Sequence, residues 1–436
     1  MESWLVSVLC VGLMIVLAFS GVYIAYALFL SGMLGILLIG GAQMLGAQLG
    51  LVSYSATASY GYVVIPLYIL MGQLASEAGL GQDAFHTARL WIGHLRGGLL
   101  MATTVACGLF GGISGSSAAD AAVFSRVAFP EMVRFGYDRS LAAGCIAAAG
   151  TLAIMIPPSI LLVLYGIIAE QPIGKLLIGG IGAGLLEVVL YVLVVSIVTG
   201  VNPKLAPTVK ESVSWRERLV GIRSIVPIAI IFVFAIGGIL FGIFTPTEGA
   251  AMGAGASLMI AMAMRRMTWK AFTLSLKESS TISGMIFLAI IGGLLFSRML
   301  VLGGIVESVS AFIIALPVSR HIIFMGIVVL YIILGMIMQP IVIMLITIPV
   351  LLPTMVAMGY DPVWFGIMFV ALSEMAVITP PVAVNLYTVK GVLGDQVSTD
   401  EIFRGTLWFL VADVATLFLL YVFPQIALWL PGVVYK

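Results

Sequence analysis

Two tandem prolines interrupt otherwise apolar stretches, one in Ile156-Pro157-Pro158-Ser159 and one in Thr379-Pro380-Pro381-Val382. Proline has no N–H, so the carbonyl four residues earlier loses its helical partner. Pro157 and Pro158 thereby free Ala153 and Ile154, and Pro380 and Pro381 free Ala376 and Val377. Bare carbonyl oxygens suit a hard, weakly charged cation such as Na⁺, which wants oxygen ligands and no fixed carboxylate. A kink serving packing alone uses the same residues. Two copies, each following a second kind of interruption, favour the ion site.

That second interruption is a Gly/Ser cluster, Gly111-Gly112-Ile113-Ser114-Gly115-Ser116-Ser117, whose small residues permit a tight tip and whose hydroxyls supply oxygens. Its later counterpart, around Gly335 and Gln339-Pro340, is poorer in hydroxyls. Helix N-termini opposed at such tips present free N–H groups and positive dipole ends, which favour an anionic substrate near the membrane midplane. Four acids, Asp120, Glu187, Glu374 and Asp413, fall within apolar stretches, where facing lipid is costly. Asp120 and Glu374 flank the interruptions, so each is read as a coupling residue or as a buried, hydrogen-bonded acid. Glu187 and Asp413 are read as stabilising helix contacts, and Glu248 as a helix cap.

The elements that must position these residues are membrane spans. Of 436 residues, 62% are hydrophobic and 9% charged, far from the composition of a soluble enzyme. Mean hydropathy is +1.21, and no Asp, Glu, Lys or Arg occurs between Trp4 and Ser76. A net charge of +1 gives no footprint for nucleic acid. Cys10, Cys107 and Cys145 lie in apolar or small-residue stretches, with neither disulfide nor metal spacing. No G-x-x-x-x-G-K-[ST] motif indicates ATP hydrolysis, and the three histidines offer no base for a serine nucleophile.

Apolar segments run at about 4–20, 21–42, 57–76, 97–125, 140–169, 174–200, 223–243, 248–264, 281–300, 321–352, 363–389 and 404–430. Lys204, Lys210, Arg216, Arg218 and Arg223 crowd the one polar connector, which the positive-inside rule places in the cytoplasm. Arg89, Arg96, Arg126, Arg134, Arg139, Arg265, Arg266, Lys270, Lys277, Lys390 and Arg404 then fall inside as well. Lys175, Arg298, Arg320 and Lys436 remain elsewhere. This holds if 97–125 and 321–352 enter and return on one side as re-entrant hairpins, which leaves about ten full spans and puts both termini on the periplasmic side.

A shift of 223 positions superposes Val127 to Asp138 (VAFPEMVRFGYD) on Val350 to Asp361 (VLLPTMVAMGYD), seven of twelve residues being identical. The same shift sets Gly112 on Gly335, Ala153 on Ala376 and Pro157-Pro158 on Pro380-Pro381. Arg126, Arg134 and Arg139 match no basic residue, so the copies face opposite sides, and five crossings per half make the halves antiparallel. The expected fold is an all-α polytopic membrane protein built as an inverted repeat. Residues 1–202 form the first repeat, with an inward hairpin about 97–133 and a broken helix about 140–169. A cytoplasmic connector covers 203–222. Residues 223–436 form the second repeat, with an outward hairpin about 321–358 and a broken helix about 363–389.

Together with Thr245-Pro246-Thr247-Glu248 and Thr379-Pro380-Pro381-Val382-Ala383-Val384-Asn385, these motifs resemble the large membrane subunit of tripartite ATP-independent periplasmic (TRAP) transporters over nearly the whole chain. The resemblance implies an elevator-type, Na⁺-driven importer of small organic anions in the bacterial inner membrane. It also implies two partners, a small membrane subunit and a periplasmic substrate-binding protein, and no cofactor besides the coupling ion. The small subunit is expected as a separate chain, because the segments before residue 57 complete the first repeat. By the same resemblance one Na⁺ site uses Ser114, Ser117, Ala153, Ile156 and Pro157, and the other Gly335, Ala376, Thr379 and Val382. Ser116, Asp120, Pro158, Ser159, Gln339, Pro340, Glu374, Pro380, Pro381 and Asn385 are the further substrate or coupling candidates, Asn385 either donating to substrate or fixing the broken helix. Ala153, Ala376 and Ala383 stand where the family commonly has glycine. Two other readings compete: a stand-alone Na⁺- or H⁺-coupled anion carrier of the broader hairpin-containing elevator class, and an intramembrane enzyme.

Overall fold

The computed structural model describes residues 2–209 and 213–435. Their regular structure is all helical, with no strand among the described residues. Lys210 and Lys436 lie outside the described residues. Among the described residues seven helices are long and apolar enough to cross a membrane, and two bent pairs raise that to as many as nine.

The offset of 223 found in sequence recurs in the helices. Gly98–Ser114 and Ser117–Arg134 form the first hairpin, and Arg320–Ile337 and Pro340–Ala357 form the second. Arg139–Ala149 and Leu152–Met155 lead into the first Pro-Pro break, after which Ile160–Ile168 resumes; Pro362–Ile378 and Val384–Leu393 do the same around the second. The shared Gly-Tyr-Asp motif has a local cause. Gly136 and Gly359 end the hairpins in the left-handed conformation, at φ 77° and 83°. Asp138 and Asp361 then cap the next helix, accepting from the N–H groups of Leu141 and of Val363 and Trp364.

The halves interlock. The second arm of the first hairpin packs on Val384–Leu393, and the second arm of the second hairpin packs on Ile160–Ile168. Each hairpin's first arm leans on the broken helix of its own half. Around this assembly stand Ile24–Ala58, Val64–Glu77, Pro246–Ala263 and Trp269–Leu302, which pack closely on one another.

Several segment limits shift. The stretch read as 21–42 is the start of a 35-residue helix, Ile24–Ala58, bent at Gly41 (φ 75°). Leu80–Ile92 and Ile305–Ala315 are additional short helices, again one repeat apart; the first is broken by polar residues and the second is too short to stand out as an apolar run. The stretch 404–430 is two helices, Thr399–Val422 and Gln425–Val434, parted at Pro424. Trp215–Ile222 is already helical, so the connector is shorter than 203–222.

Several basic residues assigned to the inside meet at one end. Arg266 pairs with Asp83, Arg89 pairs with Glu131 at 2.8 Å, and Arg139 reaches the Gln396 carbonyl. The connector joins them through Leu205, whose carbonyl accepts from the Asp138 N–H, and through Gly221, whose carbonyl accepts from Thr87.

Candidate functional site

Both hairpin tips open onto one cavity of about 300 Å³. Its walls include Ser114 to Ala119 from the first tip, Gln339 to Val342 from the second, and Ile154 and Val377 from the two breaks. The far wall comes from Val64–Glu77 and Trp269–Leu302, with Gln73 and Ser76 as its polar members. Among the described residues no Asp, Glu, Lys, Arg or His lines the cavity. A charged ligand there would be met by backbone N–H groups, hydroxyls and amides.

The first tip is built by its side chains. Gly115 turns the chain at φ 59°, where any Cβ would also lie 2.9 Å from the Pro158 carbonyl oxygen. Ser116 caps the second arm by accepting from the Ala119 N–H, and Ser114 donates its hydroxyl to Asp120. Asp120 is fully buried, and its other oxygen has no donor among the described residues. The Ser114 oxygen also accepts from the Ser116 N–H at 3.4 Å, which leaves it one further lone pair. Gly72 and Gly111 admit close neighbours: a Cβ on either would meet the backbone of Ser114 or Ala153 within 3 Å.

At the first break the Ile156 N–H is spent on Leu152, and Pro157 has none. Neither residue within its helix can therefore donate to the Ala153 carbonyl. The neighbouring Ile154 carbonyl is not free, since the buried Ser159 hydroxyl donates to it. Ser159 also caps Ile160–Ile168 by accepting from the Leu162 N–H. Gly112 faces the Pro157 carbonyl and Ile156, and Gly150 faces the Ser117 carbonyl. Ser114, Ser117, Ala153, Ile156 and Pro157 are thus neighbours, and their donors are the neutral oxygens a Na⁺ ion requires.

The second unit is put together otherwise. The Thr379 N–H turns back to Ala376 at 3.2 Å, so the Ala376 carbonyl keeps one backbone donor, while that of Val377 faces a proline. The Thr379 hydroxyl donates to Met375. The Val382 N–H donates to the Met336 carbonyl, tying the break to the hairpin tip. A Cβ on Gly335 would sit 2.3 Å from that of Ala376. Gly335, Ala376, Thr379 and Val382 are therefore also neighbours. Gln339 and Pro340 start the second arm at the cavity without a side-chain cap.

Other candidates lie away from the cavity. Pro158, Ser159, Pro380, Pro381, Glu374 and Asn385 do not line it. Asn385 is buried and donates to the Ala147 carbonyl of the other half. Gln73 and Ser76 escaped the sequence reading, though two polar residues spaced at i and i+3 on an apolar helix were the available signal.

The family model described as "Tripartite ATP-independent periplasmic transporter, DctM component" matches residues 11–426. The chain is 34% identical over 405 residues to the C4-dicarboxylate TRAP transporter large permease protein DctM of Pseudomonas aeruginosa, covering 92% of this chain and 93% of that one. It is 30% identical to the protein of the same name from Vibrio cholerae, over 98% and 97% of the two chains. The isethionate TRAP transporter permease protein DctMQ of Oleidesulfovibrio alaskensis is 29% identical, and the match spans 60% of its length. In fold the chain is similar to the Alcanivorax borkumensis YdaH transporter, with a TM-score of 0.63, 14% identity and coverage of 89% and 90%.

Proposed function

Because the chain belongs to the DctM component family of tripartite ATP-independent periplasmic transporters, we propose that it is the subunit through which a small organic anion crosses the inner membrane by Na⁺-coupled secondary transport. It is a permease component and not an enzyme. The observation that carries the reading is the convergence of two hairpin tips and two chain breaks on a single cavity without charged side chains. Irregular backbone at membrane depth is tolerated where it is buried in protein or lines a cavity, and here it does both.

In this reading Ser114, Ser117, Ala153, Ile156 and Pro157 hold one Na⁺, and Gly335, Ala376, Thr379 and Val382 hold another. Between them the cavity takes the carboxylate of a C4-dicarboxylate, sugar acid or similar anion. The N–H groups at the start of Ser117–Arg134 and Pro340–Ala357 face its charge. The hairpins and broken helices move together as a transport body against the surrounding long helices, the elevator motion. A periplasmic binding protein delivers the substrate, and a small membrane subunit completes the permease, a division that fits a relative named DctMQ.

The test is uptake in proteoliposomes containing this chain, its small subunit and its binding protein. A Na⁺ gradient should drive accumulation of an organic anion, and Ser114→Ala combined with Thr379→Ala should abolish the Na⁺ dependence. Unchanged Na⁺ dependence in the double variant overturns the ion-site assignment. Uptake by this chain alone would instead establish a stand-alone carrier.

A further inference from the structure

A second cavity, of about 370 Å³, differs from the first in every wall. Thirteen residues line it and none has a polar side chain. The first arm of the first hairpin, Ile173–Val201 and Trp215–Leu240 each give it one stripe, and Gly108, Gly112 and Ala229 leave room that larger side chains would fill. Ile228, 3% exposed, lies at its floor. Leu109, Leu185 and Val233, at 36%, 59% and 59%, form its outer rim. Leu185 stands 12 and 16 residues from the ends of its helix, about 18 and about 24 Å along the axis, so the mouth faces hydrocarbon. Water does not fill such a space, because a buried water needs about three polar partners, and apolar cavities stay dry and take apolar molecules.

The charges around Trp215–Leu240 identify the occupant. Its 26 residues rise about 39 Å, more than the roughly 30 Å of the hydrocarbon, so one end reaches the headgroups. The connector end carries Arg216, Arg218 and Arg223 among the exposed Trp215, Leu219 and Val220, the pattern of a segment at the bilayer interface. Glu217 is the only acid of this helix, and its carboxylate accepts from the Ser214 N–H and hydroxyl. Arg218 stacks on the Trp215 ring at 5.1 Å. Arg216 and Arg223 are exposed and have no ion-pair partner among the described residues. Arg223 precedes the cavity-lining Ile225 by two residues. Unpaired cations at one end of an apolar groove complement a phosphate attached to an acyl chain.

We propose that this groove is a lipid site. The phosphate of an anionic phospholipid, from the leaflet beside the connector, lies against Arg216 and Arg223, and one of its acyl chains enters between the first hairpin and Trp215–Leu240. The site is separate from the substrate cavity and independent of the Na⁺ assignments. It also follows a seam. Ile156 and the hairpin belong with the breaks, whereas Val226–Phe232 packs on Pro246–Ala263, one of the surrounding helices. The bound chain therefore fills the gap between two bodies that slide past one another, a consequence that alone rests on the transport motion proposed above.

The test is photolabelling of this chain with its small subunit, in phosphatidylcholine nanodiscs doped with phosphatidylglycerol that carries a diazirine midway along one acyl chain. Label should appear on the peptides holding Leu109, Leu185 and Val233. Unlabelled phosphatidylglycerol should compete at least about fivefold better than phosphatidylcholine, and Arg216→Ala with Arg223→Ala should erase that preference. Ala229→Phe, which fills the groove, should abolish labelling there and leave unchanged any labelling of the exposed Val411 and Phe418 on Thr399–Val422. In the wild-type complex, label at Leu185 no denser than at Val411, or equal competition by the two lipids, overturns the proposal whether or not a variant folds. A crosslink from a benzophenone at position 185 to the small subunit overturns it too, by making the groove a protein interface.

Discussion

The two hairpin and broken-helix units follow one backbone plan with different fastenings. In the first, polar side chains hold the turns: Ser116 and Ser159 cap the helices, and Ser114 is bonded to the buried Asp120. In the second, the backbone does that work. The Val382 N–H reaches the Met336 carbonyl, the tip is an extended Met338-Gln339 step into Pro340, and no side chain caps either restarting helix. Ser159 and Val382 occupy equivalent positions, so one repeat uses a hydroxyl where the other uses an amide. The same difference reaches the glycines. Gly111, one residue before the counterpart of Gly335, lies against the backbone of Ala153, whereas Gly335 lies against the Ala376 side chain. A repeat therefore conserves the positions of the breaks more strictly than the means of closing them, and the two candidate ion sites should respond unequally to matched substitutions.

The largest effect is expected at the first tip. Ser114→Ala leaves the buried Asp120 without its partner; an unsatisfied buried polar group costs about 1–3 kcal/mol, so Na⁺-dependent uptake should fall about tenfold to a hundredfold. Gln339→Ala at the second tip removes no cap, and the same uptake assay should show the smaller loss. Equal losses would break the comparison. Next come the glycines. Gly335→Ala overpacks Ala376 and should cost about 1–3 kcal/mol in thermal unfolding of the purified complex. Adding Ala376→Gly should restore it, whereas Ala153→Gly should not restore Gly111→Ala, because backbone atoms are what that methyl meets.

A third test concerns the tie between halves. The Gly150 and Thr151 N–H groups go to Ile146 and Ala148, which leaves the Ala147 carbonyl to Asn385. Asn385→Ala should lower stability by about 1–3 kcal/mol, read by the same unfolding measurement. Leu162→Ala, at the equivalent position of the first repeat, removes no hydrogen bond and should act through packing alone. The smallest effect belongs to Ala383, a non-glycine residue at φ 29°. Ala383→Gly should stabilise the second break by about 1 kcal/mol, and a neutral or destabilising shift would mean that its methyl contact outweighs the backbone cost.

Much of the fold was legible because hydrocarbon imposes blunt rules. Long apolar runs must be helices, and tandem prolines must break them. The same 223-residue offset separates the paired helices and the Pro-Pro breaks of the two halves to within a few residues. Leu80–Ile92 was missed because charged and polar residues interrupt its apolar pattern, and Ile305–Ala315 because its 11 residues are too few to read as a span. In the site, the freed carbonyl of Ala153 follows from proline chemistry, but the capture of Ile154 by Ser159 does not, since that bond depends on how the chain turns after the break.

The sequence by itself determined which residues interrupt the helices, that the interruptions come in two related copies, and that few charges accompany them. Those properties are local, set by backbone chemistry and by the price of polar groups in lipid. Only the tertiary structure decided that both tips and both breaks share one cavity, that Gln73 and Ser76 face it, and that Asn385 spans the halves. It also decided that Glu187, Glu374 and Asp413, separated by 187 and then 39 positions along the chain, become neighbours. Such meetings depend on the packing of helices from opposite repeats, and no periodicity within a single helix encodes them.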